Sequence, residues 1–293
     1  MKNINNLNST ECTKTTTKLS QPHSSRFHIK GNGSSWFVFL CSFLISFTGF
    51  VFGWDTGTIS GFINMDDFVK RFGQRTLSGY YKLSRVRSGL IVSIFNIGCT
   101  IGGVTLPKFA DLFGRKVGLV ISMFVYIIGC IIQITSRISW VQYFIGRIVT
   151  GLAIGSNCVI APLFLSEISP KDIRGSVVSV FQLLTTMGMF LGYCACYGTY
   201  HNSTGSYQWE LPLGLCFLWA SLAIIGIIIC PESPRYLAKK GLIGKAKQSF
   251  SKMKRCTIDS PEVTSEIISL QKSIGEENTA GTSSWKELIT GKP

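Results

Sequence analysis

From Trp36 to Trp54 the chain runs nineteen residues without a charge, about the length of helix that crosses the hydrocarbon of a bilayer. Asp55 then arrives with more uncharged sequence behind it. Few other patterns limit a fold so tightly, because inside lipid every backbone amide must be satisfied by its own chain and only helices and closed barrels achieve that. The acid limits it further. A carboxylate in hydrocarbon costs several kcal/mol unless it meets a partner or a water-filled cavity, so Asp55 marks a polar pathway. Gly49, Gly53, Gly57 and Gly61 recur every fourth residue through the stretch that includes Phe52–Phe62, FGWDTGTISGF. On a helix they share one face, where another backbone or a ligand comes close. The stretch reads as the working helix of a transporter, against a plainer reading as a small-residue packing seam with a structurally paired acid.

Five more apolar runs follow, at about 89–109, 117–136, 141–165, 177–200 and 212–230, each near the length of a spanning helix. With the first, at 36–62, they predict an all-α membrane protein with six transmembrane helices. Residues 1–35 are rich in Ser, Thr and Asn with scattered Lys and no apolar core, which predicts a disordered tail and no cleavable signal peptide. Residues 36–230 form the membrane domain, and 231–293 a polar linker or tail. Placing both termini in the cytosol puts 21 of the 29 Lys and Arg on the inner side, in keeping with the positive-inside rule. The loop 63–88, with six basic residues, is unusually basic for the outer side. The same topology places Asn202-Ser203-Thr204, a glycosylation acceptor pattern, outside, and leaves the matching patterns at Asn8 and Asn32 inside and unmodified.

Composition closes other routes. A net charge of +14 raises nucleic acid as a partner, but the charge sits between the apolar runs and in the tails, so no nucleic-acid partner is expected. The ten cysteines lie mostly inside apolar runs without CxxC spacing and read as small apolar residues, giving neither a disulfide framework nor a metal site. The three histidines, at 23, 28 and 201, are too scattered for a site. Without GxSxG, P-loop or HExxH patterns, neither an enzyme nor a cofactor is expected. Mitochondrial carriers also have six spans, but their P-x-[DE]-x-x-[KR] repeat is absent; Pro170-Lys-Asp172-Ile-Arg174 is one residue short and occurs once.

Asp55 and Arg147 are the only charges clearly within spans. Asp55 comes late in a helix running outward and Arg147 about seven residues into one running inward, so at 1.5 Å per residue both lie in the outer half of the membrane. Two isolated charges would each be costly, which predicts an Asp55–Arg147 pair or a shared polar cavity between the first and fourth spans. Each heads a group of three helices, as an inverted 3+3 repeat would arrange them.

The inner loops carry the sharpest motifs: Asp111-Leu-Phe-Gly114-Arg115-Lys116, then Pro162-Leu-Phe-Leu-Ser166-Glu167 through Arg174-Gly175, then Pro231-Glu232-Ser-Pro234-Arg235. Taken singly, each is ordinary capping and surface charge. Together with Phe144-Ile-Gly146-Arg147 and the FGWDTGTISGF stretch they resemble the sugar porter family of the major facilitator superfamily. Leu90–Cys99 and Thr282–Pro293 are worded like the hexose carriers of yeasts. The resemblance runs from Trp36 to the last residue and covers the N-terminal six-helix half with its cytosolic linker, with the second half absent from this sequence.

The resemblance implies a facilitative hexose carrier of the plasma membrane that works by alternating access, with a glucose-like sugar and the lipid bilayer as partners. It implies that Gln182 bonds sugar hydroxyls, that Phe52 lies near the sugar, and that Asp55 and Arg147 occupy positions paired in proton-coupled members. It further implies that Arg115, Glu167, Arg174, Glu232 and Arg235, beside Asp111 and Lys116, belong to a cytosolic gating network. Two departures stand out: Pro107 replaces a small residue four before Asp111 and should bend that helix end, and Met189 replaces a polar side chain some relatives use for sugar. Because most sugar contacts in the family come from the other half, transport requires a full-length carrier or a second copy, and the chain alone is expected to be inactive. The alternatives are a non-transporting glucose sensor and the vestigial product of a disrupted transporter gene.

Overall fold

The computed structural model describes residues 34–75, 80–136, 139–170 and 173–279. The chain begins with α1 (Ser34–Phe62), then a short helix α2 (Asp66–Phe72) and a two-stranded antiparallel hairpin, β1 (Gln74–Arg75) with β2 (Tyr81–Lys82). There follow α3 (Arg85–Phe113), α4 (Arg115–Ile134), α5 (Trp140–Ile168), α6 (Arg174–Asn202) and α7 (Tyr207–Ile229). Six of these helices, all but α2, are long and apolar enough to cross a membrane. The polar tail expected at residues 1–35 lies outside the described residues apart from Ser34 and Ser35, which open α1.

The helices run past the apolar runs that announce them. The α3 helix starts at Arg85, passes through Pro107 and ends at Phe113, while α7 starts five residues before Pro212. Helical hydrogen bonding does not stop where hydrophobicity does; a proline removes one donor and leaves its neighbours paired.

Packing of the six spans has an internal symmetry. The two most extensive contacts are α1 on α6 and α3 on α5. Exchanging the first three spans for the last three turns one of these contacts into the other, and likewise α4–α5 into α7–α1. Both principal seams are built from glycine. A Cβ at Gly53 would overlap the Thr185 carbonyl oxygen and one at Gly57 that of Met189; from the other side, a Cβ at Gly188 would strike the Phe50 carbonyl. On the second seam, Gly102 abuts the Leu152 carbonyl and Gly155 that of Cys99. The glycine face of α1 therefore meets a backbone, and the small residues let dispersion act between main chains where no hydrophobic driving force exists between helices.

Two segments that look like plain loops in the sequence are folded. Between α1 and α3, the α2 helix buries Phe68 and Phe72 in an aromatic cluster with Phe62, Tyr143 and Trp209, and its Asp67 accepts a hydrogen bond from the Trp209 indole at 3.1 Å. Arg71 binds Asp67 at 2.9 Å and also donates to the Ser206 hydroxyl, fixing α2 to the start of α7. After α7, the segment expected to be a linker forms α8 (Pro234–Lys239), α9 (Ile243–Lys254) and α10 (Pro261–Thr279), which share a small core of Tyr236, Leu237, Ala238, Ala246, Val263 and Ile267. Ser233 caps α8 by accepting the Tyr236 amide at 3.2 Å, with Pro234 at the first helical position, where its missing donor costs nothing.

Candidate functional site

At the centre of the bundle α1 and α5 bring together two charges. Arg147 Nη1 donates to Asp55 Oδ2 at 2.7 Å, and both side chains are 2% exposed. Tyr126 of α4 donates its hydroxyl to Asp55 Oδ1 at 3.4 Å, and the Arg147 guanidinium lies 4.4 Å from the centroid of the Phe95 ring of α3. Arg147 Nε finds no hydrogen-bond partner among the described residues. The result is a dry, nearly closed pair whose charges cancel at short range, and whose separation would leave either one unsolvated. Beside Arg147, Gly146 lets α5 close on α4, because a Cβ there would press on the Gln133 side chain. Along the same α4–α5 contact, Gln133 donates to Thr150 Oγ1 at 3.1 Å and Ser122 to Asn157 Oδ1 at 2.7 Å.

The Phe95 ring has a second neighbour. Phe52, half-buried on α1, stacks on it with centroids 6.5 Å apart and planes 18° from parallel. Phe95 therefore sits between Phe52 and Arg147, and joins the buried pair to the surface of the bundle. Neither Phe95 nor Tyr126 is singled out by sequence; the one available signal is that Tyr126 carries the hydroxyl in an otherwise apolar stretch of its span.

Gln182 is exposed on α6 and does not touch this cluster. It lies in a polar stripe with Ser179, Thr186 and Tyr193, all exposed and spaced to share one face of the helix. A matching stripe of Ser93, Asn96 and Thr100 is exposed on α3. Because Gly49 abuts Phe181 and Gly53 abuts Thr185, Gln182 and Phe52 lie within about a turn of each other in depth along the α1–α6 seam. Met189 is half-buried, with its carbonyl against Gly57.

At one end of the bundle a second charged cluster forms where α3, α4, α5 and α8 converge. Gly114 makes the α3–α4 turn at φ +116°, a conformation for which glycine is suited, and a Cβ there would also strike the Glu232 carboxylate. Arg115 binds Asp111 at 2.8 Å and Glu167 at 3.3 Å, and its guanidinium lies over the Tyr236 ring. Glu167 also accepts from the Ser233 hydroxyl, while Glu232 accepts the backbone amides of Lys116 at 3.2 Å and Ser233 at 3.0 Å. The Lys116 ammonium donates to the carbonyls of Ile228 at 2.6 Å and Cys230 at 2.9 Å, where the negative end of the α7 dipole favours a cation. Asp111, Arg115, Lys116, Glu167 and Glu232 are therefore joined within one six-helix unit and its α8 extension. Arg235 is half-buried as the second residue of α8, and Arg174 stands exposed at the start of α6, outside the cluster.

Asn202 is exposed as the last residue of α6, at the end of the bundle away from this cluster. Asn8 and Asn32 lie outside the described residues. Among the described residues there is no group of three His, Cys, Asp or Glu that could hold a metal, and the nine cysteines described are all free.

Comparison with known proteins fits this geometry. Residues 41–293 match the family described as "Sugar (and other) transporter". The chain is 51% identical over 263 residues to the low-affinity glucose transporter HXT3 of Saccharomyces cerevisiae, covering 90% of this chain and 46% of that protein. It is 52% identical over 257 residues to a low-affinity glucose transporter of Kluyveromyces lactis, covering 88% of this chain and 45% of that one. The chain thus spans about half the length of the curated relatives it matches. Among solved structures, a proton:xylose symporter of the major facilitator superfamily, XylE, bound to 6-bromo-6-deoxy-D-glucose, superposes with a TM-score of 0.75 at 23% identity, over 88% of this chain and 57% of that one. A partially occluded inward-open form of the Escherichia coli xylose transporter XylE gives 0.71 at 23% identity, over 82% and 60%. At such identities the likeness speaks for the fold, the N-terminal half of a major facilitator architecture.

Proposed function

Because this chain belongs to the sugar transporter family, we propose that its six spans form one half of a facilitative hexose carrier of the plasma membrane, with both termini in the cytosol. The observation that carries the reading is the polar stripe on α6, Ser179, Gln182, Thr186 and Tyr193, exposed, as is that of α3, on a bundle otherwise clothed for lipid. Hydrocarbon cannot satisfy an amide, so such a face belongs against water, a polar ligand or a second polar face. A hexose fits those requirements. The Gln182 amide offers donors and an acceptor for hydroxyls, and Phe52 offers an apolar ring edge beside them. Relatives named as glucose transporters support glucose-like sugars as the ligand class.

In this reading the sugar is held between the α3–α6 face and a second six-helix unit, carried on the same polypeptide, a second copy or a full-length carrier, and rocking of the two units exposes the sugar to each side in turn. The Asp55–Arg147 pair holds α1 on α5 behind the site. The Arg115–Glu167–Glu232 cluster ties α8 to the cytosolic ends of the spans and serves as this half's share of the inner gate, with Arg174 and Arg235 placed to meet the other half. Asn202 then faces outward and is the glycosylation acceptor.

Labelled glucose uptake in a host without its own hexose carriers tests the reading. Residues 1–293 alone are expected to give no saturable uptake, and the same residues joined to the C-terminal half of the Saccharomyces relative are expected to transport. In the joined protein Gln182→Ala should raise the half-saturating glucose concentration roughly tenfold, the worth of one buried hydrogen bond. Saturable uptake by residues 1–293 alone, abolished by Gln182→Ala, would overturn the expected inactivity of the chain alone and assign the second unit to another copy of it.

A further inference from the structure

The charge of the segment after α7 is one-sided. Residues 235–256 carry eight Lys and Arg and no Asp or Glu. A linker that only joined two membrane halves would need no such excess. In the structure Ala246, Ser249 and Met253 are the buried face of α9, while Lys245, Gln248 and Lys252 are exposed at spacings that set them on one opposite stripe, with Arg255 exposed just past the helix end in a left-handed conformation (φ +51°). Lys254, off that stripe, binds Glu266 at 3.3 Å. Neither Lys245 nor Lys252 has an ion-pair partner among the described residues.

The height of this stripe relative to the membrane is fixed by one contact. The Arg255 guanidinium lies 5.6 Å from the centroid of the Phe37 ring, near the start of α1, and the neighbouring Trp36 is 67% exposed. An exposed tryptophan at the mouth of a spanning helix marks the headgroup level. Leu242 and Ile258, 44% and 42% exposed, flank the stripe.

We propose that the exposed face of α9 docks on anionic lipid headgroups of the leaflet from which α1 emerges, through Lys245, Lys252 and Arg255. Anionic headgroups concentrate in the cytosolic leaflet, and a juxtamembrane basic residue is drawn to them within a Debye length of the surface. Such docking holds the α8–α10 module flat against the bilayer and fixes the angle at which any following segment leaves. The proposal does not depend on transport, since it concerns a surface remote from the α3–α6 face.

The test is amide hydrogen exchange of the full chain in nanodiscs of phosphatidylcholine with and without phosphatidylserine. Phosphatidylserine should slow exchange across residues 243–256 roughly tenfold, leave α10 unchanged, and lose its effect in molar salt. The combined variant Lys245→Gln, Lys252→Gln, Arg255→Gln should exchange at the phosphatidylcholine rate in both discs, whereas Lys245→Arg with Lys252→Arg should keep the protection. If the glutamine variant fails to fold, the lipid comparison on the native chain and the arginine variant still decide. Equal exchange in both discs overturns the proposal and leaves the stripe to an acidic protein segment. Equal protection by inorganic phosphate overturns it too, as a free-anion site.

Discussion

Of the carboxylate–guanidinium groupings among the described residues, two are built on opposite terms. Asp55 and Arg147 meet inside the bundle with 2% of each side chain exposed, while Asp111, bound to Arg115 at one end of it, is 61% exposed. The central pair holds itself together with one ion contact and one long tyrosine hydrogen bond. The cluster at the bundle's end spreads its charge over the Ser233 hydroxyl, backbone amides and the end of a helix. A buried pair is therefore all or nothing, since losing one member strands the other in a medium that cannot solvate it. The end cluster degrades by steps, because Arg115 and Glu167, 9% and 5% exposed, each have a further partner and water can replace the contact of Asp111.

Removing one charge from each grouping should separate them most. Asp55→Asn leaves Arg147 buried without a counter-charge and is expected to cost about 3–5 kcal/mol, seen as a large drop in the thermal unfolding midpoint of the detergent-purified chain. Replacing both, Asp55→Leu with Arg147→Met, should recover most of that loss; a double variant as unstable as the single one would show that the pair has a role beyond mutual neutralisation. Gly114→Ala comes next, because it forces a side chain into a φ of +116° and against the Glu232 carboxylate. Its strain is roughly 1–3 kcal/mol, and the same melt should show it as a smaller shift than Asp55→Asn. Glu167→Gln gives up the charge that Arg115 and Ser233 share and should cost about 1.5–3 kcal/mol. Asp111→Asn closes the series at about 0.5 kcal/mol or less; a loss as large as that of Glu167→Gln would mean the rim behaves like the interior.

Much of the architecture is legible in the sequence because lipid permits so few solutions. Long apolar runs become spanning helices, and the two charges well inside them stand out because the other charge, Lys108, falls at the very end of its run. The glycine ladder of α1 shows by its spacing, and Gly98-Gly102 with Gly151-Gly155 carries the same four-residue spacing for the second seam, less visibly because each is only a pair. What does not show is anything that depends on partners distant in sequence. Phe95 is one more phenylalanine among twenty until folding sets it between Phe52 and Arg147. Residues 63–88 and 231–279 look like polar connections because each of their helices buries only a few side chains, four at most among the described residues, too few to mark a periodic stripe. The glutamine at 182 is distinctive through resemblance alone; in the structure it is one exposed polar group among several on its face.

The paired glycine seams have a mechanical consequence. At Gly53 and Gly57 on the α1–α6 seam, and at Gly102 and Gly155 on the α3–α5 seam, main chain lies on main chain, with no flexible side chain between them to flex or change rotamer. Such contacts are stiff and interlocked, so the helices cannot slide past one another by small steps. A load applied at one end of the bundle emerges at the other as rotation of the whole body, and compliance must be sought at its edges, in the turns and in whatever unit the open face meets.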